Sequence, residues 1–404
     1  MLSVADGSWD CFVNFAFVYL QLTGVATFRY DKKRHIIVSS AFWTHYCTVI
    51  SIASLILVSY EFANEVISKH PYEEKLLSAV SRSGTLFIYA SAIFVIGKQW
   101  FMRSQFKDFI GRLLSLERKL FQHLEVPQFL NCQFLALFIL KSVMSVLLKY
   151  LEVRVLFMLY TFDTWMSVLY WFMASIVWHI GAAPLNIFYV IILCMLRFYN
   201  IFNGRLKLFA RQMELASGIK SSHNKMWEYC RLSDALDTYT SLFADIHNAT
   251  VDAVEILQFQ SLAIFGETYM NTVGRMYFIF LVANTTGMTN EQLIVSVSYV
   301  LLSFLVDLLP FFIFTIIVRE AQKCEEYAKL ENKFWNLDER LERDIEMFAL
   351  LTTLKKHKIE FGGLVHINRA SILSAILSAT VHFLILVQFY RAASNTPYVV
   401  KNHL

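Results

Sequence analysis

Long apolar runs alternate along this chain with stretches in which charged and apolar positions return every three or four residues, and both patterns predict helix. Six runs are long enough, at about 1.5 Å per residue, to cross a bilayer core of about 30 Å: 36–60, 77–97, 129–148, 165–197, 256–283 and 293–318. Gly181 and Pro184 offer a bend to the fourth, and Pro310 a kink to the sixth. A seventh span lies within 364–390, after a Gly362-Gly363 pivot. Along it Ser371, Ser374, Ser378, His382, Ile385 and Phe389 recur at steps of three and four, so small and polar groups share one face. That face is expected to avoid lipid.

The intervening stretches are predicted to be helical as well. Phe106, Ile110, Leu113, Leu116, Leu120 and Leu124 mark 98–128 as an extension of the second span, and 198–255 is a second polar helical region. Within 319–363 a stripe runs from Tyr327 through Leu330, Phe334, Leu337, Leu341 and Ile345 to Phe348, an amphipathic helix outside the membrane. Segment 1–35 reads as a lead-in helix at the membrane surface, because its apolar part carries Asn14, Gln21 and Gly24 before the basic group Arg29, Lys32, Lys33 and Arg34. Residues 391–404 form a tail.

Composition agrees with this organisation: 56% of the 404 residues are apolar, 36 of them Phe, and 17% are charged. The expected fold class is therefore all-α, a polytopic membrane protein with seven spans. The start MLSVADGSWD lacks the basic and apolar regions of a cleavable signal, so targeting falls to the first span. Most of the 36 Lys and Arg lie in 1–35, 98–128, 198–255 and 319–363, which makes those segments cytosolic. The amino terminus is then inside and the carboxyl terminus outside, the reverse of G-protein-coupled receptors.

A net charge of +4 argues orientation, not nucleic-acid binding. Six cysteines without CxxC or His/Cys clustering point to free thiols and to no metal site. With no HExxH, GxSxG, phosphate-binding glycine loop or paired catalytic carboxylates, neither enzyme chemistry nor a cofactor is indicated. A secondary transporter would bring repeat symmetry and broken half-helices, of which Gly181 and Pro184 are the main trace.

Polar residues inside spans are costly unless they face protein or water. Gln260, Glu267, Asn271 and Arg275 lie on one face of the fifth span; Ser296, Tyr299, Ser303 and Asp307 lie on one face of the sixth. Counting inward sets Arg275 beside Tyr299 and Ser303, and Asn271 beside Asp307. These residues, with His179 and the aromatic side chains Tyr170, Trp171 and Trp178, either form a pocket reached from outside or make interhelical hydrogen bonds. Lys141 is expected to snorkel to the surface.

The seventh span ends in Gln388-Phe389 after the apolar run Phe383 to Val387, and this resembles the signature of insect gustatory receptors: Thr-Tyr, five apolar residues, Gln-Phe. Val381-His382 stands here in place of Thr-Tyr. The resemblance implies a tetramer, of like or mixed subunits, around a pore lined by the last helix. It implies a ligand-gated, non-selective cation channel in the plasma membrane of a gustatory neuron's dendrite, with a small tastant as ligand. Phe389 would occlude the outer gate and Gln388 would rearrange on opening, with Ile385, His382 and Ser378 further along the same pathway. Sugar-sensing members carry Glu where this chain has Phe383, so a bitter-type ligand is expected. An odorant-receptor-type channel is the nearest alternative.

Overall fold

The computed structural model describes residues 2–31, 36–67, 75–124, 132–159, 165–285, 288–328, 338–355, 360–361 and 365–395. Its helices are α1 (Leu2–Leu22), α2 (Ala41–Ile67), α3 (Lys75–Phe101), α4 (Arg103–Leu124), α5 (Cys132–Leu159), α6 (Trp165–Ser217), α7 (Ser222–Thr285), α8 (Asn290–Ala328), α9 (Glu339–Leu354) and α10 (Arg369–Asn395). Two short antiparallel hairpins complete it, β1 (Phe28–Asp31) with β2 (Ile36–Ser39) and β3 (Glu360–Phe361) with β4 (Val365–His366). The all-helical expectation is met, and the hairpins are additions to it.

The first hairpin corrects both the lead-in helix and the start of the first span. Ile36-Ile37-Val38 reads as the beginning of an apolar helix, but β-branched residues also favour strand, and here they pair with β1. The lead-in helix stops at Thr23-Gly24, where Gly24 adopts φ 75°, a left-handed conformation suited to glycine. A Cβ at Gly24 would lie 3.3 Å from Ile50 Cγ2, so α2 packs closely here and Ile50 would have to give by a few tenths of an ångström. Gln21 Nε2 donates to Phe28 O at 2.9 Å, tying the helix end to the strand. The lead-in helix also packs into the protein, with Val13, Phe17 and Leu20 buried in the core.

Helices α3 and α4 are separated by Met102. Beside this break the Arg103 guanidinium donates to Cys47 O at 3.0 Å and to Ser51 Oγ at 2.9 Å, and lies 3.9 Å from the Trp100 ring centre. The basic side chain thus joins the corner to α2. Helices α6 and α7 run for 53 and 64 residues without interruption. The polar region 198–255 is therefore the shared continuation of two long helices joined at a turn beside Gly218, and not a separate unit.

Below the membrane-like segments, charge pairs lock the helices together. Arg112 and Lys119 of α4 meet Asp252 and Asp245 of α7 at 2.9 and 3.3 Å, and Arg340 of α9 meets Asp234 of α7 at 2.7 Å. At the opposite end Arg154 of α5 pairs with Glu291 of α8. Thus the described residues 98–124, 198–255 and 339–354 share one end of the molecule, while 149–159 and 288–292 share the other.

Leu341, Ile345 and Phe348 of α9 are buried, and Phe348 packs 5.9 Å from the Phe243 ring of α7. The stripe belongs to two helices, since Tyr327 ends on α8, and Leu330, Phe334 and Leu337 lie outside the described residues. So do Gly362-Gly363 and 396–404. Phe361 of β3 enters the core between Phe188 and Phe314, 5.7 Å from each ring. All six cysteines are free; Cys47, Cys194 and Cys324 are buried.

Among the described residues five helices are long and apolar enough to cross a membrane: segments Ala41–Tyr60, Cys132–Met158, His179–Ser217, Asn290–Tyr327 and Arg369–Ala392. Leu86–Phe101 of α3 is apolar but shorter, and the part of α7 that packs against it carries polar side chains, among them Glu267, Thr268 and Tyr269. Those polar side chains form the site.

Candidate functional site: a polar layer across the bundle

Successive residues of an α-helix point about 100° apart, so three in a row can face three different neighbours. Glu267, Thr268 and Tyr269 of α7 do this. Glu267 Oε2 accepts a hydrogen bond from Ser91 Oγ of α3 at 2.7 Å. Thr268 Oγ1 donates to Asp307 Oδ2 of α8 at 2.8 Å. The Tyr269 hydroxyl lies 2.9 Å from Ser378 Oγ and 2.6 Å from His382 Nδ1, both on α10.

Gly266, one residue earlier, permits this crowding, since a Cβ there would come within 3.3 Å of the Phe87 ring of α3. The fourth neighbour is α5. Lys141 is 7% exposed and its ammonium donates to Val306 O at 2.7 Å, directly beside Asp307. Lys141 does not snorkel: an ammonium held by a carbonyl with a carboxylate next to it has partners inside the bundle, and the stem need not reach water.

Ser91, Lys141 and Ser378 each lie nine or ten residues from the ends of their helices nearest α4 and α9, about 14 Å by helical rise. That is close to half of a bilayer core of about 30 Å. The polar groups therefore form one layer across α3, α5, α7, α8 and α10 near mid-membrane depth.

Of the proposed pocket residues, Arg275 lies beside Tyr299 as the helical counting predicts, its guanidinium 5.1 Å from the ring centre. Asp307 pairs with Thr268, not Asn271, which lies one turn further along α7. Ser303 is one turn of α8 beyond Tyr299 on the same face. His179 is separate from this group: it lines a cavity between α1, α4, α5 and α6. The side chains of Tyr170, Trp171 and Trp178 lie outside those described.

Helix α10 meets its own bundle through Ala379, through Tyr269 on one flank, and through Phe383 and Tyr390, which pack edge-on against Phe280 of α7. Among its described residues Ala379 is the one fully buried side chain. Ile385 and Phe389 are 39% and 60% exposed, and Ser374, Thr380, His382 and Gln388 are exposed too. The expected face is thus divided: Ser378 and His382 bond sideways to α7, while Ile385 and Phe389 stand clear.

Sequence reasoning identified Glu267 and Asp307 but missed Ser91, Thr268 and Tyr269. Hydroxyls are common in membrane helices, and nothing local marks the ones that pair. The three-in-a-row pattern is legible only once the neighbours of α7 are known.

Compared with known proteins, residues 13–392 match the family described as 7tm Chemosensory receptor. Gustatory receptor 10a of Drosophila melanogaster is 26% identical over 227 residues, which are 54% of this chain and 52% of that protein. The matched stretch thus spans about half of the relative's length. The insect olfactory receptor OR5 from Machilis hrabei superimposes with a TM-score of 0.58 at 11% identity, over 95% of this chain and 99% of that one. Its structure in complex with eugenol gives 0.52 at 12% identity, over 92% and 96%. At such identities the likeness is one of fold.

Proposed function

Since the chain belongs to the seven-transmembrane chemosensory receptor family, we propose that it is a gustatory receptor acting as a subunit of a ligand-gated, non-selective cation channel. Four such subunits, alike or mixed, would enclose the pathway in the plasma membrane of a sensory dendrite. The amino terminus would be cytosolic and the carboxyl terminus outside, and the ligand would be a small bitter-type tastant.

One observation carries this reading. Both α5 and α10 have an exposed side, but that of α5 is aliphatic over Leu135, Ile139, Val143, Val146 and Leu147 with Ser142 among them, whereas α10 sets Ser374 and Gln388 among exposed Leu373, Leu377, Val381 and Leu384. Polar side chains on an exposed membrane helix call for water or protein beside them. A conduit shared between copies supplies both, and a phenylalanine ring at its outer end can close it by excluding water.

Ligand contact falls to the Arg275–Tyr299 pair with Ser303 and Asn271, on the outer side of the polar layer. Asp307 and its Thr268 bond lie beneath, and Tyr269 leads from there to α10. A ligand that favours one arrangement of this layer shifts the channel toward it. His179 lies away from the pair and would act only through α6. Support for a small organic ligand comes from the fold relative solved with eugenol.

The test is agonist-evoked current in cells expressing the chain with suitable co-receptors, using a panel of bitter compounds. Loss of current in Gln388→Ala and altered rectification in Phe389→Ala are expected. Normal currents from both variants would remove the gate assignment.

A further inference from the structure

The cavity that takes in His179 differs in kind from the polar layer. It measures about 330 Å³ and follows α6 from His179 to Phe198, about 28 Å of helix. A volume at the low end for ligand sites, drawn out over that length, is a slot. Its walls are Phe17 and Leu20 of α1, Leu113 of α4, Phe138 of α5, and Ile187 and Val190 of α6.

Polar groups in the walls are largely engaged already. Asn186 Nδ2 donates to the Tyr19 hydroxyl at 3.0 Å, Tyr189 donates to Leu137 O at 2.7 Å, and Ser142 donates to Phe138 O at 2.9 Å. Lys141 is held by Val306 O, and Glu117 by Arg197 of α6 at 3.1 Å. A polar guest would leave water and gain little in return. A hydrocarbon guest meets close-packed carbon on several sides, where dispersion contacts accumulate.

The position of the mouth decides which hydrocarbon. Its rim includes Phe15, 62% exposed on α1, with exposed Ser142 and His179, and it lies beside the outward row of α5 in which Val143 and Val146 are 58% and 71% exposed. That exposed apolar row is the surface a bilayer covers, so the slot opens sideways toward lipid tails, while its α4 wall lies level with the Arg112–Asp252 pair. We propose that the slot between α1, α4, α5 and α6 binds one acyl chain of a bilayer lipid. An extended, flexible chain suits a long narrow slot better than a compact ring does. The inference is independent of the gating reading, because it needs only that the chain spans a membrane.

The full chain, reconstituted in phosphatidylcholine vesicles doped with a phosphatidylcholine carrying a diazirine on one acyl chain, is irradiated and its adducts are mapped by mass spectrometry. Adducts are expected inside the slot, on Leu113, Ile187 and Val190, as well as on outward Val143 and Val146. In Ala16→Trp, which fills the slot, the inner adducts should disappear while the outer ones persist. Val190→Phe serves the same purpose should the first variant fail size-exclusion chromatography. Adducts confined to the outward residues would overturn the assignment, as would inner adducts that survive both fillings. Labelling of the inner residues by a water-soluble aryl diazirine and not by the lipid would also overturn it.

Discussion

The Tyr269 hydroxyl stands 2.6 Å from His382 Nδ1 and 2.9 Å from the Ser378 hydroxyl, so one side chain of α7 holds a full turn of α10. His382 Nδ1 is also 2.9 Å from the Ser378 carbonyl. It can accept from the phenol or donate to that carbonyl, but one nitrogen cannot do both in one tautomer. The junction between the ligand side and the proposed pore helix is therefore a bond with an alternative.

Removing the phenol should shift the closed–open balance away from the arrangement described. Interhelical hydrogen bonds in membranes contribute about 1 kcal/mol, so Tyr269→Phe and His382→Leu should each displace the agonist concentration–response curve about five-fold. Because both variants break the same bond, the double variant should match the singles. Shifts that simply multiply would show that the two side chains act independently.

The buried ammonium of Lys141 lies next to Asp307, which has Thr268 as its other partner. Lys141→Met leaves a carboxylate inside the bundle without its cation, at a cost of about 3 kcal/mol. Heating of detergent-solubilised protein, followed by size-exclusion chromatography, should show this as a lowered midpoint. Adding Asp307→Asn should recover much of the loss, since the amide still accepts from Thr268. A double variant less stable than Lys141→Met would contradict this coupling.

On the α9 side of the molecule, His247 of α7 is stacked 6.3 Å from the Phe243 ring. Burial, with the Lys355 ammonium adding to it, pulls its imidazole down to about 4. The unfolded chain takes up this proton near pH 6.5, before the folded one does. The stability that the neutral ring contributes is present above about pH 6.5 and is lost as pH falls toward 4. Thermal midpoints should decline across that window, and His247→Gln should flatten the decline. An identical slope in the variant would place the acid sensitivity elsewhere.

Much of the architecture was legible because hydropathy and helical period are local properties. The seven apolar runs, the helical character of 98–124 and of most of 198–255, and the Arg275–Tyr299 neighbourhood all follow from counting residues along helices. The failures came where a second element decides the outcome. Ile36 to Ser39 became strand because β1 lay opposite, Lys141 stayed buried because Val306 offered a carbonyl, and Asp307 chose Thr268 over Asn271 by the rotation of α7. The Tyr269–His382 contact joins residues 113 positions apart, and no periodicity within either helix announces it. Gln388 and Phe389 were found through a family signature, and their exposure at the end of α10 is a fact about packing that the signature does not contain.

The account depends most on water reaching α10 along the flank that carries Ser374, Ile385 and Phe389. Cysteine placed singly at each of these positions, and at Ile376, Phe383 and Val387 on the opposite side of the helix, can be tested with a charged methanethiosulfonate reagent during agonist application. Modification that alters current at the first three positions and leaves the opposite positions unaffected is the predicted result. Equal reactivity all round the helix, or none on the serine flank, would contradict a conduit bounded by α10.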